Sequence, residues 1–139
     1  MITIAQYYMG RDQAYAKELT PQKHLNAANT VQRVNALIAA YEADGGVLYD
    51  HPVNKSNVSS GWRPQRVNAS TAGAAPMSNH MLCAACDIYD PDGHFDEWAL
   101  DHPEVLEKIG LWQEHPSATK GWLHVQITPP RSGKRVFYP

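Results

Sequence analysis

The chain has no long apolar run. No stretch approaches the ~20 consecutive apolar residues of a membrane span, so no transmembrane helix is expected. Its start, Met1-Ile2-Thr3-Ile4-Ala5-Gln6-Tyr7-Tyr8-Met9-Gly10-Arg11-Asp12, lacks the positive segment and apolar stretch of a secretory leader. The expectation is a protein synthesised in the cytoplasm without a signal peptide. Basic charge is also sparse. The formal net charge is -2, and the one dense basic stretch, Arg131-Ser132-Gly133-Lys134-Arg135, reads as a solvated turn beside a strand. A nucleic acid partner would need clustered Lys and Arg to displace counterions, so none is expected. Cysteine is limited to Cys83 and Cys86, too few and too close for a disulfide framework.

What remains is enough for one folded unit. A hydrophobic fraction of 43% with 19% charged residues argues against disorder. The 139 residues suit a single domain spanning 1–139, expected to be a monomer.

Thr20-Pro21 offers a helix start, with Thr20 as cap and Pro21 at the first helical position. From there Leu25, Ala28, Val31, Val34, Leu37, Ile38 and Tyr41 fall three or four apart, predicting a helix with one buried face that ends at Gly45-Gly46. Val47-Leu48-Tyr49 reads as the start of a strand. Residues Asn54 to Pro76 read as loops around a short helix, and Asp101 to Leu111 as a helix capped near Asp101. Trp122, His124 and Gln126 alternate with Leu123, Val125 and Ile127, the mark of a strand with two different faces. Val136-Phe137-Tyr138 is a candidate last strand. Helices and short strands without βαβ alternation point to an α+β domain.

Two histidines stand out from the seven. His80 and Asp87 are seven residues apart with small residues between, and His124 lies on the alternating strand. Imidazole nitrogen and carboxylate oxygen are both zinc donors, and two histidines with one carboxylate leave a fourth tetrahedral position open, as in catalytic sites. Spacing alone is a weak signal. Cys83 and Cys86 leave two other readings open: a C-x-x-C redox pair, or a mixed zinc site with His80. Reduced buried thiols are the plainer expectation.

The context of these residues carries more. Ser78-x-His80-x-x-x-x-Ala85-x-Asp87 resembles the S-x-H-x-x-G-x-A-x-D signature of the zinc D-Ala-D-Ala carboxypeptidase and endopeptidase family, whose fold is shared with hedgehog domains. Ser60-Gly61-Trp62-Arg63-Pro64 is similar to an upstream segment of that family, and Trp122-Leu123-His124-Val125 to its closing strand. The resemblance covers about Ser60 to Ile127. It implies a small antiparallel sheet flanked by helices, one Zn2+ ion held by His80, Asp87 and His124, and hydrolysis of a peptide bond in peptidoglycan stem peptides. It also implies that Arg63 faces the substrate, where a permanently charged guanidinium would stabilise an oxyanion. Ser78 would orient a ligand or a substrate oxygen, or serve as a turn hydroxyl. Trp62, Trp112 and Trp122 are core residues or walls of a cleft. A compact catalytic domain without an export signal resembles phage endolysins, which another protein releases to the wall.

The chain departs from the pattern twice. Cys83 replaces the middle glycine, which packing would tolerate but a left-handed backbone would not welcome. The acidic residue that many members carry three places before the last histidine is here Gly121. The nearest upstream carboxylate is Glu114, ten residues before His124, as general base or as surface charge. His115, Asp96 and Glu97 are lesser candidates. Without a base the domain would be a zinc-stabilised module that binds wall peptide or a protein partner without cleaving.

Overall fold

A computed structural model describes residues 1–139. Two short helices, α1 (Ile4–Tyr8) and α2 (Arg11–Ala14), lead into the long helix α3 (Pro21–Ala43). Thr3 and Gln6 form a reciprocal capping box at the start of α1. Thr20 caps α3 by accepting from the Lys23 N–H, with Pro21 at its first position. The buried face of α3 is Ala27, Thr30, Val34, Leu37, Ile38 and Tyr41. Leu25 and Ala28, expected on that face, lie outside it, and Leu25 is 66% exposed. The stripe instead runs through Thr30, whose hydroxyl donates to the Cys83 carbonyl at 2.8 Å; a satisfied hydroxyl can be buried at little cost.

Val47-Leu48-Tyr49, read as a strand start, has no regular structure. The first strand is β1 (Val58–Ser60), followed by α4 (Gln65–Ala69), a 3-10 turn (Asn79–Leu82) and β2 (Ala85–Tyr89). Then come α5 (His94–Leu100), α6 (Pro103–Ile109), β3 (Trp112–Glu114), β4 (Trp122–Gln126) and β5 (Val136–Phe137). Asp101, expected to cap α6, instead closes α5; His102 precedes α6 and Pro103 occupies its first position. Gly93 is the N-cap of α5, and the Asp90 carboxylate, three residues before it, accepts from the Phe95 and Asp96 N–H groups of the first turn.

The five strands form one sheet in the order β1-β2-β4-β3-β5, antiparallel except for β3 and β5. The fold is therefore α+β with a small, mostly antiparallel sheet. No helix is long and apolar enough to cross a membrane. The helix side of the sheet contributes Val58, Cys86, Ile88, Leu123 and Val125 to a core with Val34, Leu37, Ile38, Tyr41 and Phe95. Tyr41 and Phe95 stack at 4.2 Å. Strand alternation then puts Asp87, His124 and Gln126 on the other face.

Candidate metal centre

Asp87 and His124 are direct cross-strand partners on β2 and β4, two neighbouring interior strands. Asp87 Oδ1 lies 2.8 Å from His124 Nδ1 and 3.3 Å from His80 Nε2. His80 reaches this point from the 3-10 turn that precedes β2. Ser78 caps that turn by accepting from the His80 N–H. Cys83 ends it in the left-handed region at φ 58°, the conformation that a glycine would adopt without strain. Cys83 is held there from α3: Thr30 donates to its carbonyl and Asn26 to that of Leu82.

The Ser60-Gly61-Trp62-Arg63 segment supplies the other wall. The Trp62 N–H donates to the Tyr7 carbonyl at 3.2 Å, and a Cβ on Gly61 would stand 1.8 Å from that same oxygen. Only glycine permits the approach. The Gly61 carbonyl in turn accepts from His80 Nδ1 at 2.8 Å. With that nitrogen protonated, His80 Nε2 carries the lone pair, and it is buried with no hydrogen-bond partner in the protein.

The donor atoms of His80, Asp87 and His124 all lie within 4.8 Å of one another. These three residues could hold a metal ion, and the chemistry of the set fits one. Two imidazole nitrogens and a carboxylate are the donors of open zinc sites. His80 Nε2 makes no hydrogen bond and stands 3.3 Å from Asp87 Oδ1, its fellow donor. Burial alone would raise the Asp87 pKa, but His80 and His124 outweigh it and hold the carboxyl well below the usual carboxylate range. Burial lowers the pKa of His80, opposed by Asp87. Burial pulls His124 the same way, but its bonds to Asp87 and Gln126 and the nearby Glu114 raise it above the ordinary value.

A cleft of about 430 Å³ opens on the three residues and is also lined by Arg63, Ser78, Glu114, Trp122, Gln126 and Phe137. Arg63 is 9% exposed. Its Nη2 donates to Ser78 Oγ at 3.2 Å, while its Nε is buried without a partner. Ser78 is thus both the cap of the His80 turn and the tie for Arg63. Glu114 is the last residue of β3. Gln113 pairs with Val125, which brings the next residue, Glu114, alongside His124. Glu114 Oε2 is 4.0 Å from His124 Nδ1, and burial raises its pKa, partly offset by His124.

The remaining candidates fall elsewhere. His115 stacks on Tyr138 at 4.5 Å and bonds Ser117. Asp96 is buried, bonded to Gln113 and Thr119, and Glu97 is exposed; neither lines the cleft. Cys83 and Cys86 are free, buried thiols in the core. Burial pushes Cys83 up to about 12 and Cys86 well above its usual value, the opposite of a reactive thiolate. Of the tryptophans, Trp62 is fully buried, Trp112 lies under Arg135 at 4.2 Å, and Trp122 borders the cleft. Sequence reasoning passed over Phe137 and Gln126 as site residues. Gln126 was detectable, because it shares the alternating face of His124.

The model of the peptidase M15 family matches residues 16–125. That is well over half of the chain, and it takes in every residue lining the cleft but Gln126, Phe137 and Pro139. The chain belongs to the peptidase M15 family. It is the family to which the motifs around His80 and His124 point, and its members are zinc-dependent. No curated protein and no solved structure matches the chain. Within this M15 chain the Gly121 position carries no carboxylate, and the acidic side chain nearest the centre comes from the neighbouring strand instead.

Proposed function

We propose that this M15 chain is a single-domain, monomeric zinc peptidase that cleaves a peptide bond in peptidoglycan stem peptides, of D,D or L,D type. A lytic role, as in a phage endolysin released to the wall, suits a small domain of this kind. The observation that carries the reading is the convergence of three lone-pair donors, His80 Nε2, Asp87 Oδ1 and His124 Nδ1, in a cleft that also holds Glu114 and Arg63.

His80, Asp87 and His124 would hold the ion. When bound, zinc supplies Lewis-acid polarisation of the scissile carbonyl and makes water more acidic. Glu114 accepts a proton from the attacking water and returns it to the departing amine. Its partial burial supports this role, because a carboxylate with a raised pKa is a stronger base. Arg63, which lines the cleft, offers its guanidinium charge to the substrate oxygen on which charge develops, and Ser78 holds the guanidinium in place. Trp122 and Phe137 give the cleft apolar flanks.

The test is incubation of the zinc-loaded chain with purified peptidoglycan of several wall chemotypes. New amino termini are expected, lost on chelation and restored by zinc. Release of none from any wall type, by protein shown to contain zinc, would leave a binding module and overturn the reading.

A further inference from the structure

His124 can offer a cation only one of its two ring nitrogens, because a neutral imidazole carries one N–H and one lone pair. We infer that Gln126 is a positioning residue that keeps the proton on His124 Nε2, so that Nδ1 is the nitrogen presented to a divalent cation. The inference rests on reading His80, Asp87 and His124 as a zinc site.

His124 Nε2 is 3.0 Å from Gln126 Oε1. An amide oxygen only accepts, so Nε2 must donate. A glutamine amide could in principle turn over and present its NH2 group instead. Here Gln126 Nε2 donates to the Thr128 carbonyl at 2.7 Å, and a backbone carbonyl has no donor to exchange. The chain of bonds therefore runs one way, from His124 through Gln126 to the backbone. Gln126 is 4% exposed and sits in the sheet between Ala85 on β2 and Trp112 on β3, so its side chain has little room to reorient.

This hold opposes a competing state. Asp87 Oδ1, 2.8 Å from Nδ1, attracts a proton to that nitrogen. A neutral His124 with its proton on Nδ1 would form a closed pair with Asp87 and face Gln126 Oε1 with a second lone pair. Gln126 makes that arrangement costly and leaves Nδ1 open. The two imidazoles of the centre are oriented by different means: a backbone carbonyl, Gly61, for His80, and a side chain for His124. Outer partners of this sort set ligand orientation and basicity in metal sites.

The experiment measures zinc affinity of the full chain by competition with a chromophoric chelator, together with nitrogen NMR of the histidine rings in the zinc-loaded protein. Gln126→Leu and Gln126→Met, which remove the acceptor at similar size, should weaken zinc binding by about 10–100-fold. Gln126→Glu, which restores an acceptor for Nε2–H, should recover most of that loss. The wild-type and Gln126→Glu spectra should show His124 metal-bound at Nδ1 and protonated at Nε2. Melting of the zinc-free proteins separates a loss of fold from a loss of affinity, and the Met variant serves if the Leu variant does not fold. If the wild type binds no zinc, the metal site itself falls. If the wild type binds zinc, and the folded Leu or Met variant matches it in affinity and bound nitrogen, the role of Gln126 alone is overturned.

Discussion

Asp87 and His124 face each other across the neighbouring strands β2 and β4 with Oδ1 and Nδ1 2.8 Å apart, close enough to share one proton or one cation. The bonds to Asp87 and Gln126 overcome the effect of burial and hold a proton on His124 above its ordinary range. A metal ion must displace that proton. Zinc affinity should therefore fall as pH drops towards and through the usual imidazole value of about 6.5. Calorimetry in buffers of different ionisation enthalpy should detect a proton released on zinc uptake near neutral pH. Binding without proton release would contradict a His124-held site. His80→Ala should remove one donor and lower affinity further without moving the His124 proton.

Glu114 lies beside the donor set, outside it. Its Oε2 is 4.0 Å from His124 Nδ1, beyond hydrogen-bond range but within reach of a molecule held between them. Glu114→Gln should accordingly retain zinc at near wild-type affinity and lose about 10²–10⁴-fold in kcat on peptidoglycan. In the unmodified chain, activity should rise with pH across a range above the ordinary glutamate value, because burial raises the Glu114 pKa. Zinc loss on Glu114→Gln would place this carboxylate among the ligands.

Much of this was legible in the sequence, and the failures have physical causes. Helix α3 announced itself because 23 residues show the apolar period several times over. Its phase was misjudged because Thr30, polar in composition, is buried through its bond to the Cys83 carbonyl. Strand β2 was hidden because Ala85, Cys86, Asp87 and Ile88 are all buried, so no alternation shows. Strands β1 and β3 and helix α1 are three to five residues long, and tertiary contacts rather than local pattern make them. His80, Asp87 and His124 could be named through motif resemblance. Glu114 could not be placed, because its position depends on the Gln113–Val125 register, which no local signal carries.

The two cysteines provide a test of backbone conformation inside one core. Both are 0% exposed, yet Cys83 has φ 58° while Cys86 lies on β2. A β-branched residue is strongly disfavoured at positive φ and well suited to a strand. Cys86→Val should cost less than about 1.5 kcal/mol, the usual toll of a near-isosteric core change. Cys83→Val should cost at least about 2 kcal/mol more, since backbone strain adds to crowding. Denaturant melts of the two variants would decide this. Equal losses would mean that the turn relaxes without penalty and that the glycine replaced in the family pattern has no conformational role.

Asp96 anchors the strand that carries Glu114, and its titration should be visible in stability. Its carboxylate accepts from Gln113 Nε2 and from the Thr119 hydroxyl, both at 2.6 Å. Burial nevertheless dominates and raises its pKa from 3.8 to about 6, with those two bonds opposing. Between these values the folded chain binds a proton that the unfolded chain has released. The stabilisation is fully present below the unfolded value and is lost as pH rises through the folded one, an effect of about 2 kcal/mol. Asp96→Asn removes the titration. The asparagine oxygen can still accept from Gln113, and the Thr119 hydroxyl can rotate to accept from the new NH2 group. The variant should show a flatter stability profile across this pH window, with its advantage over the parent growing towards neutral pH. Denaturant midpoints at several pH values measure this directly. Parallel profiles for the two proteins would show that Asp96 ionises in the fold without penalty.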